Sequence, residues 1–171
     1  MFLTTKRLCL RNLREEDAEA VYTWRNDRRC YRFQRWKNTS REAVLGLIRA
    51  SWEDVFLSKK EEQHYALCAG DIPVGELAYF YTEKDRCVTL GITISPDCQR
   101  RGYGYEILSA VTMAVREAYP ELDIVALIDR ENAPSIALFE KLGFVRECYA
   151  ESIASYVYVI YAENEGEERP S

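Results

Sequence analysis

The stretch of sequence that decides the fold is ITISPDCQRRGYGY, from Ile92 to Tyr105. It joins an apolar, strand-like segment to a helix through a loop that contains two arginines and two glycines. The glycines let the backbone approach a ligand closely, and the helix that follows points unpaired N–H groups and the positive end of its dipole at the loop. Because Arg100 and Arg101 add fixed positive charge, the loop is predicted to bind a phosphate or pyrophosphate.

Two known phosphate motifs do not fit this loop. A Walker loop requires GxxxxGK followed by Ser or Thr, which the sequence lacks, and the dinucleotide fingerprint GxGxxG fails here at its third glycine. The remaining alternative is a basic, glycine-rich helix start that binds no ligand.

A second segment, LIDRENAPSIALFEKLGF at residues 127–144, supports the interpretation as a ligand site. A strand of the buried type ends here in a polar loop, where Asn132 is placed to cap the next helix and Ser135 lies three residues further on. Taken alone, this pattern also describes an ordinary capped helix. The combination of the two segments carries more information than either one.

Hydrophobic spacing along the chain predicts a single three-layer α/β (α+β) domain. Its mixed, mostly antiparallel sheet has seven strands, three of them in an antiparallel meander, and helices cover both faces. Strands are predicted at 3–13, 64–69, 74–81, 87–94, 124–128, 144–151 and 155–161. Helices are predicted at 18–24, 107–118 and 133–142, and a further helix is predicted to open at the capping sequence 39–42 and to extend to 55.

The composition agrees with one globular domain. The chain has 171 residues, of which 47% are hydrophobic and 30% are charged. We expect the domain to span residues 1–162 and the acidic sequence ENEGEERPS at 163–171 to form a solvated, frayed tail. No run approaches the ~20 apolar residues of a membrane helix, and residues 1–13 lack the apolar core of a signal peptide. A cytoplasmic protein without membrane contact is therefore expected.

Cysteine and histidine usage argues against a metal site. The six cysteines lie far apart without a CxxC pair, and His64 is the only histidine. A Cys/His zinc site and a histidine-based nucleophilic triad are therefore nearly excluded. We expect reduced thiols, no metal, and no role for His64.

The two loop motifs resemble those of the GNAT-type N-acetyltransferases. QRRGYG at 99–104 matches the family signature Gln/Arg-x-x-Gly-x-Gly/Ala, and Asn132, Ser135 and LFEKLGF at 138–144 match its second motif at the expected distance. RLCLR at 7–11 and WRND at 24–27 resemble the branch that contains the ribosomal-protein N-terminal acetyltransferases. The likeness covers nearly the whole chain, and the predicted order of elements agrees with that fold.

The resemblance implies that acetyl-CoA lies in a wedge between the strand ending at Ile94 and the strand ending at Ile128. Asn132 would contact the pantetheine arm and Ser135 would lie near the thiol. A neutral primary amine would attack the thioester directly within a ternary complex. The residues implied to bind the cofactor are Ile92 and Ile94 through their backbone groups, then Gln99, Arg100, Arg101, Gly102, Tyr103 and Gly104 around the pyrophosphate, and Asn132 and Ser135.

Two departures from the family pattern affect the choice of catalytic residues. Phe139 stands where many relatives have a tyrosine that can protonate the leaving thiolate, and residues 89–90 are Thr and Leu where relatives often carry an acid. We therefore predict Glu76, on the central meander, as the general base, acting directly or through a water. Its alternative role is a solvent-facing strand glutamate. Ser135 is the predicted partner of the thiol, or otherwise a serine in the first turn of a helix.

The segment from Arg25 to Arg41 falls where this family usually forms its acceptor site, and it carries seven basic residues against one acid. Such charge disfavours a polyamine or aminoglycoside and favours an acidic peptide, a carboxylate-bearing amine, or a protein lying on RNA. We predict that Tyr31, Arg32, Tyr79 and Tyr81 contact the acceptor. The alternative is a solvated basic face with its aromatic rings tucked inward.

The expected acceptor is the N-terminal amine of a protein or a small-molecule amine. Two other functions stay open: an acyl-CoA-binding module that has lost turnover, and an RNA-contacting protein. The net charge of −5 argues against a dedicated nucleic-acid binder. The last hairpin could pair two copies of the chain in a homodimer.

Overall fold

The computed structural model describes residues 1–34, 36 and 39–163. Over these residues the chain forms one eight-stranded sheet with the strand order β1-β2-β3-β4-β5-β6-β8-β7. The strands are β1 (Leu3–Thr4), β2 (Cys9–Asn12), β3 (Glu62–Ala69), β4 (Ile72–Thr82), β5 (Cys87–Ile94), β6 (Asp123–Asp129), β7 (Val145–Ala150) and β8 (Ser155–Ile160). The helices are α1 (Ala18–Asn26), α2 (Arg28–Tyr31), α3 (Arg41–Ser51), α4 (Tyr103–Ala118) and α5 (Ala133–Lys141). Every paired neighbour is antiparallel except β5 with β6, which confirms a mixed, mostly antiparallel sheet.

The sheet has eight strands instead of the predicted seven because the first predicted strand is a hairpin. The turn between β1 and β2 is closed by a hydrogen bond of 2.8 Å from Thr5 N to Leu8 O. In addition, the Thr5 hydroxyl oxygen accepts a hydrogen bond from the Leu8 N–H. Hydrophobic spacing does not reveal so short a polar turn. The prediction of one strand at 3–13 is therefore wrong, and the segment contains β1 and β2.

Helix α3 begins as the sequence predicts but ends early. The Ser40 hydroxyl accepts a hydrogen bond from the Ala43 N–H and caps the helix. The helix stops at Ser51, so the prediction of a helix to residue 55 is wrong. Trp52 and Val55 lie beyond its end and are exposed instead of facing the core.

Helices cover both faces of the sheet. β3 shows this directly, since all residues from Gln63 to Cys68 are buried, as is typical of a strand between two helical layers. Helices α4 and α5 pack on one face, against a core that includes Tyr65 and Leu67. Helices α1 and α3 pack on the other face, against Ala66 and Cys68.

The sheet opens between β5 and β6. These parallel strands pair at three positions, the last being Thr89 with Val125, yet β5 continues to Ile94 and β6 to Asp129. Each strand stays paired on its other side, β5 with β4 and β6 with β8. The result is a wedge-shaped gap, and within the described chain no neighbouring strand pairs with the backbone groups along its two edges.

The sequence expectations about the end of the chain are largely beyond the described residues. Of the predicted tail at 163–171, only Glu163 is described, and its carboxylate accepts a hydrogen bond from Arg116. All six cysteines are described, and each is a free thiol. None of the helices in the described part of the chain is long and apolar enough to cross a membrane.

Candidate functional site

A cavity of about 600 Å³ occupies the gap between β5 and β6. Its walls come from the end of β5, the loop that follows, the first turns of α4 and α5, and residues at and after α2. They include Ile92–Ile94, Gln99, Arg100, Gly102, Tyr103, Gly104, Asn132 and Ser135. Because the N-termini of two helices face the same space, the cavity is suited to an elongated ligand that carries negative charge.

The loop before α4 leaves backbone N–H groups free for a ligand. Gly102 precedes the helix with a φ of 79°, and Arg100 has a φ of 60°, so both lie in the left-handed region. The first helical hydrogen bond runs from Glu106 N to Gly102 O. The N–H groups of residues 103–105 therefore have no partner inside the helix. Glycine takes the left-handed φ without steric cost.

Arg7 holds this loop from the β1–β2 turn, a contact that sequence reasoning missed. Its Nη1 donates to Arg101 O at 2.9 Å, and its Nε donates to the Glu106 carboxylate at 2.6 Å. Its guanidinium also lies 4.8 Å from the centre of the Tyr103 ring. Hydrogen bonds from Thr5 and Arg7 lower the pKa of Glu106. The first hairpin thus fixes the start of α4.

The three polar side chains before Gly102 have different positions. Arg100 lines the cavity, and Gln99 lines it while donating its Nε2 to Ile94 O at 3.1 Å. Arg101 is not on the described wall, since its Nη2 turns away to donate to Asp97 O at 2.8 Å. Arg100 is thus the arginine available to an anion, and the Arg101 side chain braces the loop.

The backbone groups of Ile92 and Ile94 face the gap. A Cβ built at Gly75 would lie 2.2 Å from the Thr93 carbonyl oxygen, so this carbonyl points toward β4. Backbone groups of successive strand residues point in opposite directions, which turns those of Ile92 and Ile94 toward the gap. This is the orientation that the hypothesis of a pantetheine contact requires.

The start of α5 forms the opposite wall. Asn132 caps the helix by accepting a hydrogen bond of 3.3 Å from the Ser135 N–H, and both residues line the cavity. Phe139 is buried in the core, where its ring meets Phe144 edge-on at 5.0 Å. A hydroxyl on this wall is therefore supplied by Ser135, one turn before the phenylalanine.

A second cavity, of about 390 Å³, adjoins the first on the α1–α3 side of the sheet. Four residues line both spaces: Phe33, Gln34, Ile92 and Thr93. Glu76 lies at this junction, since it pairs with Thr93 across β4 and β5. Two ligands, one in each cavity, would meet end to end beside Thr93.

Glu76 lies on the wall of the second cavity, but it is neither solvent-facing nor unpaired. It is 3% exposed. Its Oε1 accepts from Arg25 Nη2 at 2.6 Å and from Nε at 3.1 Å, and its Oε2 accepts a longer bond of 3.2 Å from Nε. Because Arg25 occupies this carboxylate, we revise its predicted role as general base. Glu76 is better suited to orient an amine, by accepting a hydrogen bond at Oε2.

Glu62 and His64 form a second pair on the wall of this cavity. His64 Nε2 lies 2.8 Å from Glu62 Oε1, and the imidazole meets the Phe80 ring edge-on at 6.0 Å. His64 is 6% exposed, and its Nδ1 is buried with no hydrogen-bond partner among the described residues. No role was expected for His64. The register that aligns it with Ala78, two residues from Glu76, is a long-range property that hydrophobic spacing does not show.

The four residues predicted to contact the acceptor do not line the second cavity. Tyr79 and Tyr81 point to the α4 face of the sheet, where Tyr79 is fully buried. Alternate residues of a strand point to opposite faces, and the cavity lies on the other face. Tyr31 and Arg32 are beside the described cavities without forming their walls, and Arg32 stacks 4.4 Å from the centre of the Phe33 ring.

Acidic side chains neutralise part of the basic segment from 25 to 41. Three of its arginines form ion pairs: Arg25 with Glu76, Arg29 with Asp27, and Arg41 with Glu19. Residues 35, 37 and 38 of the segment lie outside the described chain. The expectation that free positive charge repels a cationic acceptor is weakened by these pairs.

Cys30 contributes an inert thiol to the wall of the first cavity. Its Sγ lies 3.5 Å from Ile94 O. Burial, together with the charge of nearby Asp27, raises the pKa of the Cys30 thiol to about 11. Since the thiolate is the reactive form, a raised pKa makes this cysteine poorly suited to act as a nucleophile at neutral pH.

Comparison with known proteins supplies the family. The family model described as "Acetyltransferase (GNAT) domain" matches residues 7–145. In Bacillus subtilis (strain 168), the uncharacterized N-acetyltransferase YnaD is 24% identical over 155 residues, which covers 86% of this chain and 84% of YnaD.

Solved structures have the same fold. An acetyltransferase of the GNAT family from Bacillus anthracis aligns with a TM-score of 0.82 at 21% identity, covering 96% of this chain and 100% of that chain. RimL, a ribosomal L7/L12 alpha-N-protein acetyltransferase solved in complex with coenzyme A, aligns with a TM-score of 0.76 at 16% identity, covering 95% and 98% of the two chains. At such identities the likeness shows the fold alone. The family match, however, spans most of the sequence, and this chain belongs to the GNAT acetyltransferase family.

Proposed function

We propose that this protein transfers the acetyl group of acetyl-CoA to a primary amine while both substrates are bound. The observation that carries the proposal is the meeting of two cavities beside Thr93, where β5 has separated from β6. One cavity suits an elongated anionic thioester and the other suits a small amine. Holding the two side by side supplies much of the rate enhancement for a direct attack.

The walls of the first cavity fit acetyl-CoA in three respects. The free N–H groups of residues 103–105, the dipole of α4 and Arg100 hold the pyrophosphate. The backbone groups of Ile92 and Ile94 pair with the amides of the pantetheine arm. Asn132, at the start of α5, contacts the same arm from the opposite wall.

The reaction needs few groups from the protein. The amine nitrogen attacks the thioester carbonyl, the C–S bond breaks, the amine loses one proton and the CoA thiolate takes one up. A backbone N–H at the end of β5 donates to the developing oxyanion. Glu76 orients the amine through Oε2, and Ser135 is the hydroxyl placed to protonate the thiolate.

The acceptor is a small-molecule amine or the N-terminal amine of a protein. The modest volume of the second cavity and its rings of Phe33, Trp36 and Phe80 support a small, partly apolar amine. The name of RimL, an alpha-N-protein acetyltransferase, supports a protein N-terminus. Both belong to one activity, because the reacting group is the same.

Release of free CoA tests this proposal. Acetyl-CoA is incubated with the protein and, in turn, with straight-chain monoamines, diamines, peptides with free N-termini and an N-acetylated peptide as the blank. We expect thiol release and an acetylated product with at least one free amine. Acetyl-CoA binding without release for any amine would identify a binding module that lacks turnover. RNA binding that falls steeply with salt and is lost in Arg32→Gln would favour the RNA-contacting alternative.

A further inference from the structure

We propose that Arg29, on the short helix α2, binds a phosphate group of the cofactor. The inference rests on the proposed function, since it adds a binding residue for the same acetyl-CoA. Arg29 lines the first cavity, although it lies far along the chain from the glycine loop and the Asn132 cap. It therefore brings a third element of the fold to the cofactor.

The first argument is the orientation of the Arg29 guanidinium, which is held by one edge. Its Nε and Nη2 donate to the Asp27 carboxylate at 3.0 and 2.7 Å, and the Arg29 backbone N–H donates to the same carboxylate at 2.8 Å. Among the described contacts Nη1 donates no hydrogen bond, since Asp97 Oδ1 lies 3.8 Å from it, beyond hydrogen-bond distance. A guanidinium fixed in this way needs little reordering to bind an anion through its free N–H groups.

The second argument is the charge on the wall of the first cavity. Among the described residues, Arg29 and Arg100 line this space and no aspartate or glutamate does. Asp27 orients Arg29 from outside the wall, so the residue that meets a ligand is the arginine and not its acid. Acetyl-CoA carries a pyrophosphate and a 3′-phosphate, whose combined charge exceeds what Arg100 and one helix dipole offset. A second arginine complements the remaining charge.

The third argument is the position of α2 beside the loop assigned to the pyrophosphate. Asp97, which lies near the Arg29 guanidinium, belongs to the turn just before this loop, and its carbonyl oxygen accepts a hydrogen bond from Arg101. The next residue of α2 is Cys30, whose Sγ lies 3.5 Å from Ile94 O at the end of β5. These contacts place Arg29 at the end of the cavity that contains the glycine loop.

Calorimetry with CoA tests the inference without any need for turnover. The affinity is measured for the wild type and two variants, at low salt and at about 0.5 M NaCl, where exposed charges are screened. Arg29→Gln removes the guanidinium but keeps the backbone N–H that Asp27 accepts. Arg28→Gln removes the same charge from an exposed neighbour that does not line the cavity. The Arg29 side chain is 60% exposed, so both variants should melt at the wild-type temperature without ligand.

At low salt we expect Arg29→Gln to bind CoA at least about fivefold more weakly than the wild type, as one charge-assisted contact at a partly exposed site allows. Arg28→Gln should stay within about twofold of the wild type, because surface charges that touch no ligand contribute little. At high salt the loss in Arg29→Gln should shrink to less than about threefold. Unchanged affinity in Arg29→Gln, an equal loss in Arg28→Gln, or a loss that does not respond to salt overturns the inference.

A second ligand, 3′-dephospho-CoA, identifies which phosphate group Arg29 binds. If the loss in Arg29→Gln is the same with this ligand, Arg29 binds the pyrophosphate; if the loss appears with CoA alone, Arg29 binds the 3′-phosphate. Both results support a phosphate contact. A wild type that binds neither ligand would contradict the proposed function as well, whereas wild-type binding that Arg29→Gln leaves intact would contradict this inference alone.

Discussion

Substitution of Gly102 by valine should strongly weaken acetyl-CoA binding without unfolding the domain. Gly102 has a φ of 79°, and a Cβ there would lie 3.4 Å from Arg7 Nη2. An L-residue with a side chain pays roughly 1–2 kcal/mol in the left-handed region. A domain typically has about 5–15 kcal/mol of stability, so it stays folded while the loop relaxes to a different conformation.

Loss of one charge-assisted hydrogen bond to a phosphate costs about 1.5–3 kcal/mol, or about ten- to hundredfold in affinity. At an acetyl-CoA concentration about 100 times the wild-type dissociation constant, bound ligand adds about 2.7 kcal/mol of stability. For a chain of this size that raises the melting temperature by about 5–10 °C. The same acetyl-CoA concentration should raise the melting temperature of Gly102→Val by less than about half of the wild-type shift.

The matched control is Gly70→Val. Gly70 has a φ of 62° in the β3–β4 turn and no atom within 4 Å of its would-be Cβ, so it carries the same backbone strain far from the cavities. Thermal melts with and without acetyl-CoA are recorded for the wild type and both variants. Both variants should melt about 2–8 °C lower without ligand, and only Gly70→Val should keep the full ligand shift. A full shift in Gly102→Val would refute the assignment of this loop to the pyrophosphate.

Three further predictions concern buried groups. Glu76→Gln leaves Arg25 without its anion and should lower the free energy of unfolding, measured in urea, by about 3 kcal/mol. The variant should also turn over more slowly at unchanged acetyl-CoA affinity, and wild-type turnover would contradict the orienting role of Glu76. Iodoacetamide at pH 8 should modify the exposed thiol of Cys148 at least about a hundredfold faster than the thiol of Cys30, because burial raises the pKa of Cys30 to about 11. Equal labelling of the two cysteines, measured by mass spectrometry, would contradict this. Burial alone would raise the pKa of Asp17, but hydrogen bonds from its arginine partner and the backbone outweigh it and lower the pKa. The stabilising effect of ionised Asp17 is therefore complete above the unfolded-state pKa of about 3.9 and is lost as the pH falls below that value. The urea midpoints of the wild type and Asp17→Asn should accordingly differ more at pH 7 than at pH 3.

The parts of the site that the sequence predicted are those formed by contiguous residues. The loop before α4 and the Asn132 cap of α5 each need only a strand, a short loop and a helix start. Their chemistry follows from local rules on glycine dihedrals and helix termini. The order of elements follows for the same reason, apart from the short turn that splits the first strand and the four-residue helix α2, which the sequence analysis does not predict.

The parts that the sequence did not predict depend on contacts between distant residues. Arg25 and Glu76 are 51 positions apart, and Arg7 reaches Arg101 across 94 positions. Neither contact can be predicted from hydrophobic periodicity, which reports only on residues close together in the sequence. A glutamate on a central strand therefore looked free until the helix packed above it supplied its partner.

Strand register explains the remaining differences. Tyr79 and Glu76 lie three positions apart on β4, so they point to opposite faces, and the tyrosine belongs to the core. His64 shares the face of Glu76 only through the pairing of β3 with β4. A shift of one residue in strand pairing moves every side chain to the other face of the sheet. A single sequence does not determine this pairing across the meander.

Amide hydrogen exchange with and without acetyl-CoA tests the central claim most directly, because it reports where the ligand touches the backbone. Exchange should slow in peptides covering residues 90–94 and 99–106, at the gap edge and the start of α4, and stay unchanged in the exposed edge strand at 145–150. Slowing confined to other regions, or none in these two peptides at saturating acetyl-CoA, would contradict a cofactor site between β5 and β6.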